Sequence, residues 1–472
     1  MRRRPVAELA SMAGGRLAGA PVGAGDVLVG PDIVLDSRRV TPGCLFVAVA
    51  GERVDGHDFV ASAAGGGAAA ALVAHLVDAD VAQIVVDDPT AALGTIARHL
   101  AASAKAHGMT TLALTGSSGK TSTKDMLAQV LELQGETVSP AGSYNSLWGL
   151  PVTVGGVSDS TRFLVAEMGA AGVGDIAWLC TVAPPDIAAV LNVGHAHLGE
   201  FGSREAIALA KGEIIEALPA AGWAVLNADD PLVAAMAPRT KARLAWFSPS
   251  GAKIPGAPVW VGAREMAFDD LDRATFHLVG RSLAGDFDEA VTLRTIGAHQ
   301  VANACAAAAM ALCAGLAPHQ VAAGLCAAVR RSGWRMEPVD LAGGRLLLND
   351  AYNANPDSTA AALTSLGRLK AARGTTAVAV LGDMLELGPD SQRYHEAAGA
   401  QAARIGADVV AVGQFAGAIA DGARRAGGKA DEVARDDVAD WLADKPYGIV
   451  LLKASRGVGL ETVAGQLKEG LA

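Results

Sequence analysis

Aromatic side chains are scarce in this chain of 472 residues, only 4% of the total, although 51% of the residues are hydrophobic. Alanine and glycine fill the difference, and that composition suits helices packed tightly on sheets better than a β-sandwich. Cysteine is sparse too: Cys44, Cys180, Cys305, Cys313 and Cys326 are odd in number and widely spaced. This argues against a disulfide framework or a cysteine metal cluster and reads as small apolar packing residues in a reducing compartment. Basic charge is not in excess; the net charge of −10 argues against nonspecific nucleic-acid binding through a basic surface. No apolar run has the length and context of a membrane span, the nearest being the alanine-rich stretch 300–318 with its helical spacing. Arg2-Arg3-Arg4 is followed by Pro5 and Glu8 rather than an apolar core, so no signal segment is read there. The expectation is a cytoplasmic protein with no membrane span and no nucleic-acid partner.

Against these absences stands one stretch, Thr115-Gly116-Ser117-Ser118-Gly119-Lys120-Thr121-Ser122. The apolar run before it reads as a strand, and residues 123–131 after it read as a helix. Strand, glycine-rich turn and helix in that order make a phosphate cradle. Backbone N–H groups face the anion, Lys120 adds a point charge and the Thr121 hydroxyl is a Mg²⁺ ligand. The loop is shorter than the general nucleotide-binding pattern. A glycine turn alone serves geometry more often than binding; Gly-Lys-Thr between strand and helix shifts the reading to a nucleoside triphosphate.

Length and alternation divide the chain into three α/β units. Residues 1–107 read as a small unit with helical spacing over 6–17 and short strands near 33–38, 44–49, 70–73 and 83–87. Residues 108–333 carry the phosphate loop and alternating strands and helices, with short β segments in an antiparallel patch over 246–296 and a helix from about 300 to 314. Residues 334–472 form a second alternating unit with strands near 345–349, 377–381, 408–412 and 448–453, hence a mostly parallel, Rossmann-like sheet. Asp36-Ser37-Arg38 and Asp55-Gly56-His57-Asp58 each read, taken alone, as turns with surface salt bridges.

Three strands of the central unit end in polar residues: Glu167, Asn192, and Asn227 with Asp229 and Asp230. Ligands collect beyond the carboxyl ends of strands in open parallel sheets, so these groups lie on the side of the phosphate loop. Glu167 is then a candidate magnesium ligand. His195 and His197 are spaced as a possible transition-metal pair, but no cysteine or third histidine accompanies them, which favours magnesium chemistry. Lys211 falls on a helix two residues before Glu213, and its plain reading is a surface lysine beside an acid.

Together these stretches resemble the Mur ligase family, ATP-dependent amide-forming enzymes of peptidoglycan synthesis, whose short phosphate loop matches residues 115–121. The matching stretches are 36–39, 42–49, 55–59, 143–151, 166–169, 192–211, 349–358 and 381–388, spanning all three units. Within the family they are most similar to the branch that joins D-alanyl-D-alanine to UDP-N-acetylmuramoyl-tripeptide. The Asp-Asn-Pro-Arg and Tyr-Ala-His-Thr-Pro stretches of the sister branch that adds the third amino acid do not occur here.

The resemblance implies an N-terminal nucleotide-sugar-binding domain, a central ATP-binding domain and a C-terminal Rossmann-like domain. It also implies that Lys120 holds the β- and γ-phosphates, and that Thr121, Glu167, His197 and a carbamylated Lys211 serve two Mg²⁺ ions. A carbamate is an anionic oxygen ligand where an ammonium would be repelled. Asn145 is implied to place the transferred phosphate, Asn303 to reach adenine, Arg335 and Asp350 to meet phosphates and ribose, and Ser37 and Arg38 to contact the uridine diphosphate. The sequence departs from the family pattern at Ser146, at Leu147-Trp148 and at Ala454. A monomer closing about a hinge near residues 331–333 is the expected working form. The rival readings are a folate polyglutamylating ligase, a P-loop ATPase that remodels a partner, and a nonenzymatic nucleotide-binding regulator.

Overall fold

The computed structural model describes all residues except 20–23, 52, 53, 444, 471 and 472. Three main sheets follow one another along the chain. The first has five strands in the order Arg16–Ala18, Ala82–Val85, Ala70–Val73, Leu45–Val47, Ile33–Val34, and only its Arg16–Ala18 edge is antiparallel. Helix Val6–Ala13 stops earlier than its apolar spacing suggests. Gly14 ends it in the left-handed conformation, with φ 65°, and frees the chain to turn back as that edge strand. The expected strand around residue 36 is likewise cut short: Ile33–Val34 pairs, then Asp36 caps a 3₁₀ turn over Ser37–Arg39 by accepting the Arg38 N–H.

The central sheet has nine strands. From one edge they run Thr137–Val138, Phe163–Glu167, Thr110–Thr115, Ile187–Val190, Trp223–Asn227, Arg243–Ser248 and Val259–Phe268, all parallel. Arg273–Ser282 and Gly285–Ile296 extend it antiparallel. Here the expectation of short β segments is corrected, because these last strands are ten to twelve residues long. Their outer positions alternate buried and exposed, which keeps them half-solvated. The buried parallel strands read instead as continuous apolar runs.

Helices Lys120–Glu132, His299–Cys313 and Pro318–Ala327 cover one face with a core of Leu112, Leu127, Leu131, Phe247 and Phe276. The alanine-rich helix His299–Cys313 is nearly all buried, and small side chains let it lie close to the sheet. Among the described residues no helix is long and apolar enough to cross a membrane. On the opposite face the core is shared with the first sheet: Leu72, Ile84, Leu93 and Ile96 pack in one cluster with Leu150, Leu164 and Leu179. Helix Pro89–Ala106, capped by the Asp88 carboxylate, contributes to that shared core.

The third sheet has six strands in the order Glu337–Leu341, Arg345–Asp350, Ile449–Lys453, Ala377–Leu381, Asp408–Ala411, Ala430–Glu432. Apart from the antiparallel first pair it is parallel, and separate apolar clusters cover its two faces. The edge strands Glu337–Leu341 and Ala430–Glu432 carry polar residues and no long apolar run, so sequence pattern alone passes them over. All five cysteines are free, and Cys44, Cys180 and Cys305 are buried.

Candidate active site

The strand carrying the phosphate loop lies between Phe163–Glu167 and Ile187–Val190, and the chain winds to either side of it. That reversal of strand order opens a crevice at the carboxyl ends. Helix Lys120–Glu132 begins at Lys120 itself rather than at residue 123, so the loop runs straight into the free N–H groups of the first turn. Gly119 has φ 82°, and a Cβ there would stand 2.4 Å from the Asn303 Oδ1. Only glycine fits both requirements.

Asn192 braces the loop, accepting the Ser118 N–H at 2.9 Å and donating its amide to the Ser118 carbonyl at 3.1 Å. The Ser117 hydroxyl accepts the Gly194 N–H at 2.9 Å. Lys120 Nζ donates to the Gly116 carbonyl at 2.8 Å, folded over its own loop. Burial lowers the Lys120 pKa and the Arg335 charge lowers it further, while Glu167 opposes both.

A cavity of about 880 Å³ opens from this loop to the third sheet. Ser117 to Ser122, Asn145, Glu167, His197, Asn303, Arg335 and Asp350 all border it. Thr115, Gly116 and Lys211 are not among the residues that line it. Ser37 and Arg38 are elsewhere: Arg38 is exposed and pairs with Asp36 at 2.8 Å, the surface salt bridge that its turn suggests. It is the neighbouring Arg39 that reaches toward the central domain, donating to the Tyr144 hydroxyl at 2.6 Å.

Glu167 is 1% exposed. Its Oε1 accepts the Asn145 amide at 2.7 Å, and its Oε2 is buried with no partner among the described residues. A buried carboxyl oxygen left without a partner is costly unless a ligand such as a cation meets it. With the Thr121 hydroxyl on the same wall, the donor set is hard oxygen, which fits Mg²⁺.

The plain reading of Lys211 as a surface lysine is overturned. Helix Arg204–Glu216 carries it inward, 3% exposed. Burial drives its pKa well below the ordinary lysine value, and repulsion from Lys120 adds to the shift. The adjacent acid does not neutralise it: Glu213 is occupied by the N–H groups of Gly174 and Ala177, at 2.7 and 2.9 Å. A neutral buried amine is the form that reacts with carbon dioxide.

The two histidines part company. His195 meets Asp357, its N–H donating to Oδ2 at 2.8 Å. His197, in the left-handed region with φ 60°, has its Nδ1 at 2.6 Å from Glu386 and 3.5 Å from Glu200. That Nδ1 is buried, and the Glu386 oxygen stands beside it without the alignment of a hydrogen bond.

Just before the third sheet, Arg335 stacks on the Tyr352 ring at 4.1 Å and donates to the Ser143 hydroxyl at 2.8 Å. Asp350 accepts the Met336 N–H at 3.0 Å and pairs with the buried Lys453 at 2.7 Å. Three further residues of the site escaped sequence reasoning. Ser143 also meets the Thr121 hydroxyl at 2.8 Å, Asn355 donates to Ser118 at 3.3 Å, and Glu386 meets His197. Each lies inside a stretch that matched the family, but nothing in its residue type signalled a partner far away in the chain.

The chain matches three family models: "Mur ligase family, catalytic domain" over residues 32–100, "Mur ligase middle domain" over 114–311 and "Mur ligase, glutamate ligase domain" over 334–456. It is 40% identical to a Mycobacterium tuberculosis protein named UDP-N-acetylmuramoyl-tripeptide--D-alanyl-D-alanine ligase, over 98% of this chain and 97% of the relative. The Escherichia coli protein of the same name is 37% identical over 94% and 96% of the two chains. Among solved structures, MurF from Acinetobacter baumannii superposes with a TM-score of 0.84 at 31% identity, covering 99% of both chains. MurF ligase from Thermotoga maritima in complex with ADP gives 0.75 at 29% identity, covering 93% of this chain and 97% of that one. Phosphate loop, orphaned carboxylate, buried lysine and whole-length similarity agree, and the chain belongs to the Mur ligase family.

Proposed function

We propose that this chain is the ATP-dependent ligase that joins D-alanyl-D-alanine to UDP-N-acetylmuramoyl-tripeptide in peptidoglycan precursor synthesis, acting as a monomer in the cytoplasm. The observation that carries the reading is the meeting of Lys120, the Asn145–Glu167 pair, His197 and Arg335 around one cavity. A terminal carboxylate oxygen of the tripeptide attacks the γ-phosphorus of ATP, and ADP leaves with the bridging oxygen's electron pair. The dipeptide amine then attacks the activated carbonyl carbon and loses a proton, and phosphate departs with the C–O electron pair.

The protein's part is placement and charge. Lys120 and Arg335 neutralise phosphoryl oxygens, Asn145 orients the transferred group, and the buried walls limit water. Thr121 and Glu167 would hold one Mg²⁺, and His197 with a carbamylated Lys211 would hold a second; metal ions at these residues would supply positive charge to offset that of the phosphoryl group. Asn303 and Asp350 would contact adenine and ribose, and Ser37 and Arg38, which lie outside this cavity, would contact the UDP end. The T. maritima relative's ADP complex supports the nucleotide half of this reading.

Mass spectrometry of a reaction with ATP, Mg²⁺, the UDP-linked tripeptide and D-alanyl-D-alanine tests it. The expected product is heavier by one dipeptide, and Lys120→Ala abolishes both product and phosphate release. Phosphate release without a coupled product would point to an ATPase instead, and near-normal turnover in the variant would sink the assignment.

A further inference from the structure

Two loops from different sheets touch beside His197. The loop after strand Ala377–Leu381 places Glu386 in the left-handed region, with φ 66°, a conformation that non-glycine residues seldom adopt. Its carbonyl accepts the Gly199 N–H at 2.8 Å. At this junction the backbones are in direct contact: a Cβ on Gly199 would stand 2.7 Å from the Gly388 nitrogen. Glycine at 199 therefore permits the approach, and the approach delivers the Glu386 carboxylate to the His197 Nδ1 at 2.6 Å.

An imidazole that ligates a metal through one nitrogen is commonly held at the other by a carboxylate, which sets the tautomer and the ring plane. Glu386 stands at that other nitrogen, and it comes from the domain opposite the phosphate loop. We propose that Glu386 is a positioning residue: docking of the C-terminal domain turns His197 into a metal ligand by presenting this carboxylate to Nδ1 and leaving Nε2 for the ion. The inference rests on the ligase reading above. It makes metal-site assembly contingent on domain docking, so phosphoryl transfer is not supported in an undocked chain.

Two variants separate the parts of the argument. Glu386→Gln keeps the size of the side chain and removes the charge. Gly199→Ala leaves both side chains intact and wedges the loops apart. Free Mn²⁺ is counted by electron paramagnetic resonance in the presence of the full-length protein, a non-hydrolysable ATP analogue and the UDP-linked tripeptide. Each variant is expected to weaken one of the two bound Mn²⁺ by about ten- to a hundredfold, with the other unaffected. The Mg²⁺ concentration for half-maximal turnover rises by the same factor, and the half-saturating concentration of the UDP-linked substrate does not move. Glu386→Asp restores part of the affinity. Unchanged Mn²⁺ binding in both variants overturns the positioning role, and a loss confined to Glu386→Gln overturns its link to docking. Wild-type protein that binds no Mn²⁺ with the nucleotide overturns the ligase reading itself.

Discussion

Lys211 shows how a single side chain changes meaning when it is buried. On an exposed helix face a lysine beside an acid is a weak ion pair; here it is 3% exposed, repelled by Lys120 and denied its neighbouring carboxylate. Its folded-state pKa lies below the ordinary value, so between the two the unfolded chain binds a proton that the folded chain refuses. Stability from this group is therefore fully present above the ordinary lysine pKa and falls as pH drops toward the folded value. In carbon-dioxide-free buffer, Lys211→Met should remove that slope. Urea unfolding at alkaline and neutral pH will show wild type gaining more from the higher pH than the variant does; equal gains would mean that Lys211 is charged in the fold.

At the scale of the element, helix Lys120–Glu132 does more than present N–H groups to phosphate. Lys124, fully buried, pairs with Asp125 at 2.5 Å and also donates to the Pro140 carbonyl, near the start of the segment that carries Ser143 and Asn145. The second Asp125 oxygen accepts the Ser332 N–H at 3.1 Å. One helix thus ties the phosphate loop to both the Ser143 segment and the chain leading into the third sheet. Just beyond that anchor, Trp334 and Met336 adopt left-handed backbone conformations, with φ 57° and 45°, where the chain changes direction. Asp125→Ala strands a buried ammonium, and removing one partner of such a pair costs about 3–5 kcal/mol. The urea midpoint should fall accordingly, with a normal slope; a change within about 0.5 kcal/mol, as at ordinary surface sites, would show that water reaches Lys124.

The whole molecule is held around its cavity by contacts between the second and third sheets' domains. Asn355 meets Ser118, Asp357 meets His195, Glu386 meets His197 and Arg335 meets Ser143. The first domain joins through Arg39 to Tyr144 and through the Trp148 indole N–H to the Thr90 hydroxyl at 3.1 Å. The segment 143–148 consequently touches all three domains. Asp357 is about two-fifths exposed, so its contact with His195 is screened by solvent and contributes about 0–1 kcal/mol. Asp357→Ala should barely move the urea midpoint. Amide hydrogen exchange over residues 193–199 should quicken; unchanged exchange there would show that the other contacts hold the loop alone.

Much of this was determined by sequence because it is local. Strand, loop and helix around Lys120 are contiguous, and alternation of apolar runs with helical spacing is enough to imply parallel sheets. The family stretches are contiguous words as well, and Glu167 was legible because it ends an apolar strand. What tertiary structure alone decided is non-local. The inward turn of Lys211 depends on which face of its helix meets the sheet, and the bare oxygen of Glu167 depends on Asn145 claiming the other one. Glu386 reaches His197 across some 190 positions of chain because two domains dock glycine against backbone. Spacing along a sequence records none of these, since packing and strand order, rather than local propensity, bring the groups together.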